Sequence, residues 1–420
     1  MKFRRLAETP SVDSLEALSG RQDVDPSREK LKFRRPQVFS SAVNTIDHFR
    51  HRLPDYLTEL RELVALETPS EDCARIETAS AWLAERLAPF GEISSRDLNG
   101  YGPLLRFRRP GTTHKVMLVG HIDTVWAVGS WPELWREENG RIFGPGVYDM
   151  KGGLLFMVEL LRWLDATGAE HPTLDILINP DEEIGSVGSV RHIRESAREN
   201  DLVLVLEPST SAGIIKLARK GSGEYRLAIH GRSAHQGVEP ELGVNAVVEA
   251  AHQIMRLLEL QDLEAGSTVG PNVLRSGTAS NVVPDYAELR IDVRAWTADE
   301  QRRLDEGIAA LTPVLEGSTF ELTGGWNRPP MEMCAESMAV FERAKSIGAG
   351  LDLDLQWARW GGSSDANLTA AAGIPTVDGL GPVGEGSHQH TESIEIEALP
   401  ARMALFAELV ASLTRPIANS

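Results

Sequence analysis

Cysteine is nearly missing from this sequence: Cys73 and Cys334 are the only two in 420 residues. That is too few for a disulfide framework or a cysteine-rich zinc site, and both are expected to be buried as small hydrophobes. A basic surplus is missing as well. Lys and Arg number 43 against 61 Asp and Glu, a formal net charge of −18, which leaves nothing to neutralise a nucleic-acid backbone. A small anionic substrate is not barred, because a local cationic pocket can outweigh a distant field. There is also no long uninterrupted apolar run. The most apolar stretch, residues 153–164, is cut by Glu159 and Arg162, which argues against a membrane span. MKFRRLAETP begins with basic residues but no apolar run follows, unlike a secretory signal. These absences point to a soluble protein of the reducing cytoplasm.

The chain is long enough for two or three domains. Residues 1–44 are polar and weakly patterned, with KFRR at 2–5 and again at 32–35, and read as a flexible extension. Helical periodicity follows over residues 45–67 and 74–87. After Gly91, apolar strands alternate with helices: KVMLVG at 115–120, a helix after Asp149, LDILI at 174–178, a helix from about Ser186, and DLVLVL at 201–206. That alternation predicts an α/β domain built on a mostly parallel sheet with helices on both faces.

Residues 221–328 follow a different rhythm. GEYRLAIHG places Tyr225, Leu227 and Ile229 on one face, and YAELRIDVR does the same with Ala287, Leu289, Ile291 and Val293. Such strands are half-exposed. Two helices separate them, at 243–260 and from about Ala298, the second opened by a capping box from Thr297 to Glu300. A small α+β domain with a four-stranded antiparallel sheet is expected here. It interrupts a main domain formed by 45–220 and 329–420.

Three predicted parallel strands run into metal-ligand residue types. KVMLVG runs into His121, LDILI into Asp181-Glu182-Glu183, and DLVLVL into Glu207. Open α/β sheets place their sites at the carboxyl ends of strands. A further acid, Asp149, sits in the Gly-rich turn GPGVYDMKGG. Each residue also has a bland reading: Asp123 as a turn cap, Asp149 as a helix cap, Glu207 as a solvated acid. Taken together, acids crowded at one sheet edge imply a shared cation. Imidazole with carboxylate suits zinc, cobalt or manganese better than calcium.

GHIDTV, GPGVYDMKGG, DEEIGS, LEPS, HGRSAHQG and GEGSHQHTE occur in that order. Together they resemble the dinuclear-zinc peptidases and deacylases that include glutamate carboxypeptidase, acetylornithine deacetylase, succinyl-diaminopimelate desuccinylase and aminoacylase. The resemblance runs from about residue 50 to about 410. It implies an inserted ferredoxin-like lid and dimerisation domain, two Zn2+ ions (Co2+ or Mn2+ being possible substitutes) and a homodimer. It also implies roles for particular residues. His121 and Glu207 would hold one ion, Glu183 and His388 the other, and Asp149 would bridge both, with a cis bond to Met150. Asp123 would orient the His121 imidazole, and Glu182 would be the general base. His388 fits the spacing because Glu392 stands four residues on; His390 then belongs to the rim. Asp181 is left as a turn cap.

On the substrate side, the resemblance makes His235, Asn281, Arg294 and Arg328 candidates for contacts to an oxyanion or carboxylate, with an ion pair as the alternative for both arginines. Ser363, Ser364 and Asp365, in WGGSSDAN, are weaker candidates. Three functions follow. One is an exopeptidase of the glutamate carboxypeptidase kind, releasing a C-terminal amino acid. Another is an N-acyl-amino-acid deacylase. The third is a metal-binding but inactive scaffold, which predicts a missing base or ligand.

Overall fold

The computed structural model describes residues 42–416. Both KFRR tetrapeptides and nearly all of the 1–44 extension lie outside them.

Helices α1 (Ala42–Ala65) and α2 (Cys73–Leu87) lead into strands β1 (Glu92–Asp97), β2 (Pro103–Arg109) and β3 (Thr112–His121). Short strands β4 (Arg136–Glu138) and β5 (Arg141–Phe143) come next, then a wide, kinked turn at Val147–Lys151 and helix α3 (Gly152–Thr167). Strand β6 (Pro172–Asn179), helix α4 (Val190–Ala197) and strands β7 (Leu202–Val205) and β8 (Ile215–Arg219) complete this half. The interrupting segment holds β9 (Gly221–His230), β10 (Ala234–His235), α5 (Ala246–Glu259), β11 (Thr268–Ser276), β12 (Val282–Val283), β13 (Tyr286–Ala295), α6 (Ala298–Ala309) and β14 (Thr319–Arg328). The chain ends with α7 (Ala335–Gly350), β15 (Trp357–Trp360), α8 (Asp365–Ala371), β16 (Thr376–Val377), β17 (Gly384–Glu385), β18 (Ser393–Glu395) and α9 (Leu399–Ser412).

The large sheet has the order β1-β2-β6-β3-β7-β16. Pairings among β6, β3, β7 and β16 are parallel; β1 and β2 add an antiparallel edge. Side chains of a strand alternate between faces, and β3 shows the consequence. Val116 and Leu118 join the core under α1, α2, α3 and α9, whereas Met117 and Val119 join the core under α4 and α8. A strand buried on both sides cannot carry a polar face, which is why KVMLVG reads as a continuous apolar run.

Helix α3 is buried almost all round over residues 152–164. The two charges within this stretch are matched by α1: Glu159 meets Arg52 at 3.0 Å and Arg162 meets Glu59 at 2.7 Å. Two glycines let its first turn reach the sheet. A Cβ on Gly153 would lie 2.2 Å from the Leu206 carbonyl, and one on Gly120 would strike Leu154 and Met150 at 2.7 and 2.8 Å. No described helix is long and apolar enough to cross a membrane.

The second sheet, order β11-β13-β9-β14, is antiparallel throughout. Tyr225, Leu227, Ile229, Ala287, Leu289, Ile291 and Val293 point to one core, against Ala246, Ala250 and Leu257 of α5 and Leu304 and Ile308 of α6. The order β-α-β-β-α-β is the ferredoxin-like one expected.

Three local expectations need correction. Neither cysteine is fully buried: Cys73 donates to the Gly100 carbonyl, and the Cys334 sulfur accepts from Ser337 N at the start of α7. Thr297 does cap α6 by accepting from Glu300 N, but Glu300 does not complete a capping box. Its carboxylate is taken by Ser267 and Arg303. The helix expected from Ser186 starts at Val190, because the preceding residues form a turn around Asp181.

Candidate metal centre

Parallel pairing brings the ends of β3, β6 and β7 to one edge. His121 is the last residue of β3 and pairs with Asn179 of β6, while Val119 pairs with Val205 of β7. The acids that follow β6 and β7 therefore emerge beside His121. The Val147–Lys151 turn and the loop before β18 close over the same edge and supply Asp149 and His388.

Asp149 stands at the centre. Its Oδ1 lies 3.3 Å from His121 Nε2 and its Oδ2 lies 3.6 Å from His388 Nε2. Each imidazole has a second carboxylate: Glu207 is 3.6 Å from His121 Nε2, and Glu183 is 3.1 Å from His388 Nε2. Ligand atoms of His121, Asp149 and Glu183 all lie within 4.8 Å of one another. Two of the bland readings fail here. Asp149 caps no helix, and Glu207 is buried. The peptide bond between Asp149 and Met150 is cis.

The electrostatics fit a divalent cation. Burial pushes the Glu207 carboxyl up to about 7, helped by the charge of Asp149. Burial also raises Glu183, against the opposing bond from His388. Glu183 in turn holds His388 up at about 9, where burial alone would lower it. Burial would lower His121 too, but Asp123 and Asp149 hold it well above its usual value. Buried acids converging on two imidazoles are the donor set that a bound cation neutralises.

Asp123 serves the site twice. Its carboxylate lies 3.3 Å from His121 Nδ1 and accepts the Glu182 and Glu183 backbone N–H groups at 3.1 and 3.0 Å, as well as the Ser70 hydroxyl at 2.7 Å. One buried acid thus fixes both the imidazole and the turn that carries the two glutamates. The glutamate side chains then part. Glu183 turns to His388, while Glu182 accepts from Arg328 Nη2 at 2.7 Å. Burial raises the Glu182 pKa well above the usual range, opposed by Arg328. Asp181 caps the same turn, accepting from Gly188 N at 2.6 Å.

A sequence model of the peptidase family M20/M25/M40 matches residues 117–412. Carboxypeptidase G2 from a Pseudomonas species is 31% identical over 377 residues, 86% of this chain and 89% of that protein. The chain belongs to peptidase family M20/M25/M40. Within it, the succinyl-diaminopimelate desuccinylase of Xanthomonas campestris is 28% identical over 71% of this chain and 83% of its own. The crystal structure of the aminopeptidase PepT from Bacillus cereus shares the fold, with a TM-score of 0.74 at 23% identity, over 86% of this chain and 99% of that one. As a member of this family, the protein is a metal-dependent peptidase or amidohydrolase.

Not every expected site residue of this M20 peptidase reaches the metal centre. His235 and Asn281 are neighbours through the β10–β12 pair, with Gln236 N donating to the Asn281 carbonyl at 2.9 Å. Both are exposed, and among the described residues no hydrogen bond or ion pair joins either side chain to the carboxylate cluster. Arg294 pairs with Asp292 at 2.8 Å, so the ion-pair alternative holds for it. For Arg328, last residue of β14, the ion-pair alternative also fits. Its buried guanidinium binds Asp365 at 2.8 Å, Glu182 at 2.7 Å and Ser186 at 3.0 Å. Facing inward, it steers Glu182 rather than presenting an open fork to substrate. Asp365 belongs to the same network through Asn179, and Ser364 caps α8.

Sequence reasoning overlooked three contributors. Glu392 is more than a spacing marker: it accepts from the N–H groups of Gly146, Tyr148 and Asp149 and from the Trp126 indole. Its position four residues after His388 was the available signal. Arg219 and Lys216, on β8 just beyond Glu207, form a buried cationic backing. Arg219 binds Asp378 at 2.5 Å and approaches Glu207 at 3.9 Å, and Lys216 donates to the Pro208 carbonyl. His390 is exposed and packs against Trp126 and Trp131.

Proposed function

We propose that this peptidase binds two divalent cations, zinc with cobalt or manganese as substitutes, and releases a C-terminal amino acid by cleaving its amide bond. His121, Asp149 and Glu207 would hold one ion; His388, Glu183 and the shared Asp149 the other. The observation that carries the reading is the Asp149 carboxylate set between two imidazoles, each backed by a second acid. Ions bound there supply a Lewis acid for the scissile carbonyl and make water acidic enough to attack at neutral pH.

The remaining roles belong to the chain. Asp123 holds the His121 ring so that Nε2 faces the ions. Glu182, raised by burial and steered by Arg328, takes the proton of the attacking water and passes it to the leaving amine. His235 and Asn281, adjacent on the exposed face of the 221–328 lid, are assigned to the oxyanion or substrate carboxylate. They reach the catalytic domain, 45–220 and 329–420, by lid closure or from a second subunit. A homodimer through the lid agrees with the outer face of α5, where Val247, Val248, Met255 and Leu258 are exposed. Cytoplasmic localisation is part of the same proposal. The carboxypeptidase G2 relative supports release of a C-terminal amino acid. Deacylation of an N-acyl amino acid is the second reading, favoured by the desuccinylase relatives.

A panel of acyl-glutamates, dipeptides and N-acetyl amino acids, assayed with and without chelator, separates these readings. Turnover indifferent to chelation would sink the metal assignment. Glu182→Gln should lose nearly all turnover while metal content stays at the wild-type level; wild-type activity in that variant refutes the base.

A further inference from the structure

Three cations meet where the two sheets join, outside the metal centre. Lys220 is the single residue between β8 and β9, and its ammonium lies 5.3 Å from the centre of the Trp296 ring. The guanidinium of Arg359, from β15, lies 4.3 Å from the same ring. Strand pairing builds this cluster: Lys220 N donates to the Trp360 carbonyl at 3.0 Å, and Arg294 pairs with Ser222 across the β9–β13 ladder. Arg294 adds a third charge. Burial lowers the Lys220 pKa, and Arg294 and Arg359 lower it further.

The charges are unevenly matched. Arg294 has Asp292. Glu332, which binds the chain just past Trp296, is occupied by Ala298 N at 2.9 Å. Among the described residues, no carboxylate lies within 4.0 Å of the Lys220 or Arg359 side chain, and neither makes a side-chain hydrogen bond. An indole ring attracts each cation but does not remove the repulsion between them. In a chain with 61 acids and 43 bases, a half-buried Lys220 and an exposed Arg359 left facing one ring without a counter-charge are out of keeping with their surroundings.

We propose that Lys220, Arg359 and Trp296 form an anion-binding site that bridges the catalytic sheet and the lid. Its ligand is small and carries two or more negative charges: a free oxyanion, or extra carboxylates borne by a substrate. Arg359 offers a planar fork and Lys220 a mobile point charge, the two complementary ways of holding an oxyanion. The groups come from both sides of the junction, with Arg294 and Trp296 on the lid and Arg359 on the catalytic side. A bound anion therefore relieves repulsion across the joint and favours this domain arrangement over others.

The test uses the full chain with sodium sulfate as probe, at constant ionic strength against chloride. Sulfate up to about 10 mM should raise the wild-type Tm saturably by about 2 °C. The Lys220→Gln/Arg359→Gln double variant should show no rise, and Lys220→Arg should restore it in the Arg359-containing chain. A flat wild-type response, or an equal rise in the double variant, overturns the site. This arm needs no turnover, so it stands apart from the metal reading. Kinetics then identify the source. If substrate carboxylates are the ligand, KM for a tricarboxylate N-acyl substrate rises about tenfold in the double variant, with kcat and the monocarboxylate KM unchanged. If a free oxyanion is the ligand, sulfate alters turnover of both substrates in the wild type alone. Sulfate binding with neither kinetic effect overturns the bridging role.

Discussion

Glu392 shows how much of a metal site can rest on a residue that touches no metal. Its two carboxylate oxygens receive three backbone N–H groups, from Gly146, Tyr148 and Asp149, and the Trp126 indole. These bonds shape the turn that aims the Asp149 carboxylate between the two imidazoles. An uncharged amide at this position has one acceptor instead of two, and its NH2 group would face a backbone donor. Glu392→Gln is therefore expected to weaken metal affinity by about 10–100-fold, the range seen when groups behind a ligand are lost. Equilibrium dialysis against a zinc buffer measures it, and unchanged affinity would show that the turn holds itself. At this scale the sequence was informative where chemistry is local. His121 with Asp123, and Glu182 with Glu183, were legible through the resemblance because each pair lies within one short motif. Glu392, Arg219 and Arg328 act on Gly146, Asp378 and Glu182, partners 146 to 246 residues away in the chain, at distances only the fold reveals; for Arg328 in particular, a substrate fork and an ion pair both stayed open until its partners were seen.

Elements were more legible than partnerships, because periodicity reports burial directly. The alternation in β9 and β13 placed the lid core correctly, and the unbroken apolar runs of β3, β6 and β7 marked strands covered on both faces. What periodicity did not show is how α5 is tied to the loop before β14. Glu249, fully buried on α5, accepts from Val314 N, Leu315 N and Ser318 Oγ, with Gln253 beside it. Burial opposes its charge, but these donors outweigh burial and hold the carboxyl below its ordinary value of 4.5. The sign of the pH effect follows. A group whose folded pKa is depressed contributes its full stability above the unfolded pKa and loses it as pH falls through the folded value. Glu249→Gln should cost about 2 kcal/mol at neutral pH, as expected for a buried charge-assisted acceptor. The gap between wild type and variant should close as the pH falls below about 4. Urea unfolding at neutral and acid pH gives both numbers, and a gap that stays constant with pH would mean that the carboxylate charge contributes nothing.

For the molecule as a whole, the metal centre is also a fastening. The proposed donor residues come from the end of β3, the turn before α3, the loops after β6 and β7, and the loop before β18. Chain segments far apart in sequence thus converge on one group of buried acids. Without a cation, mutual repulsion among Asp149, Glu183 and Glu207 works against that convergence; a cation reverses the sign. The unfolded chain cannot assemble the same donors, so metal binding stabilises the folded state by mass action. At a free metal concentration about 100 times Kd, the gain is about 2.7 kcal/mol per site. Chelation should therefore lower Tm, and graded return of zinc should raise it in proportion to the logarithm of free metal. Two variants separate this stability effect from catalysis. Glu182→Gln should keep the full metal-dependent rise while losing turnover, since its side chain faces Arg328 rather than the imidazoles. Asp149→Asn should lose most of the rise, because the shared carboxylate is the one donor next to both histidines. Calorimetry with and without chelator checks all three proteins. If Asp149→Asn responds to zinc as the wild type does, Asp149 is not the bridge, and the two-ion assignment fails with it.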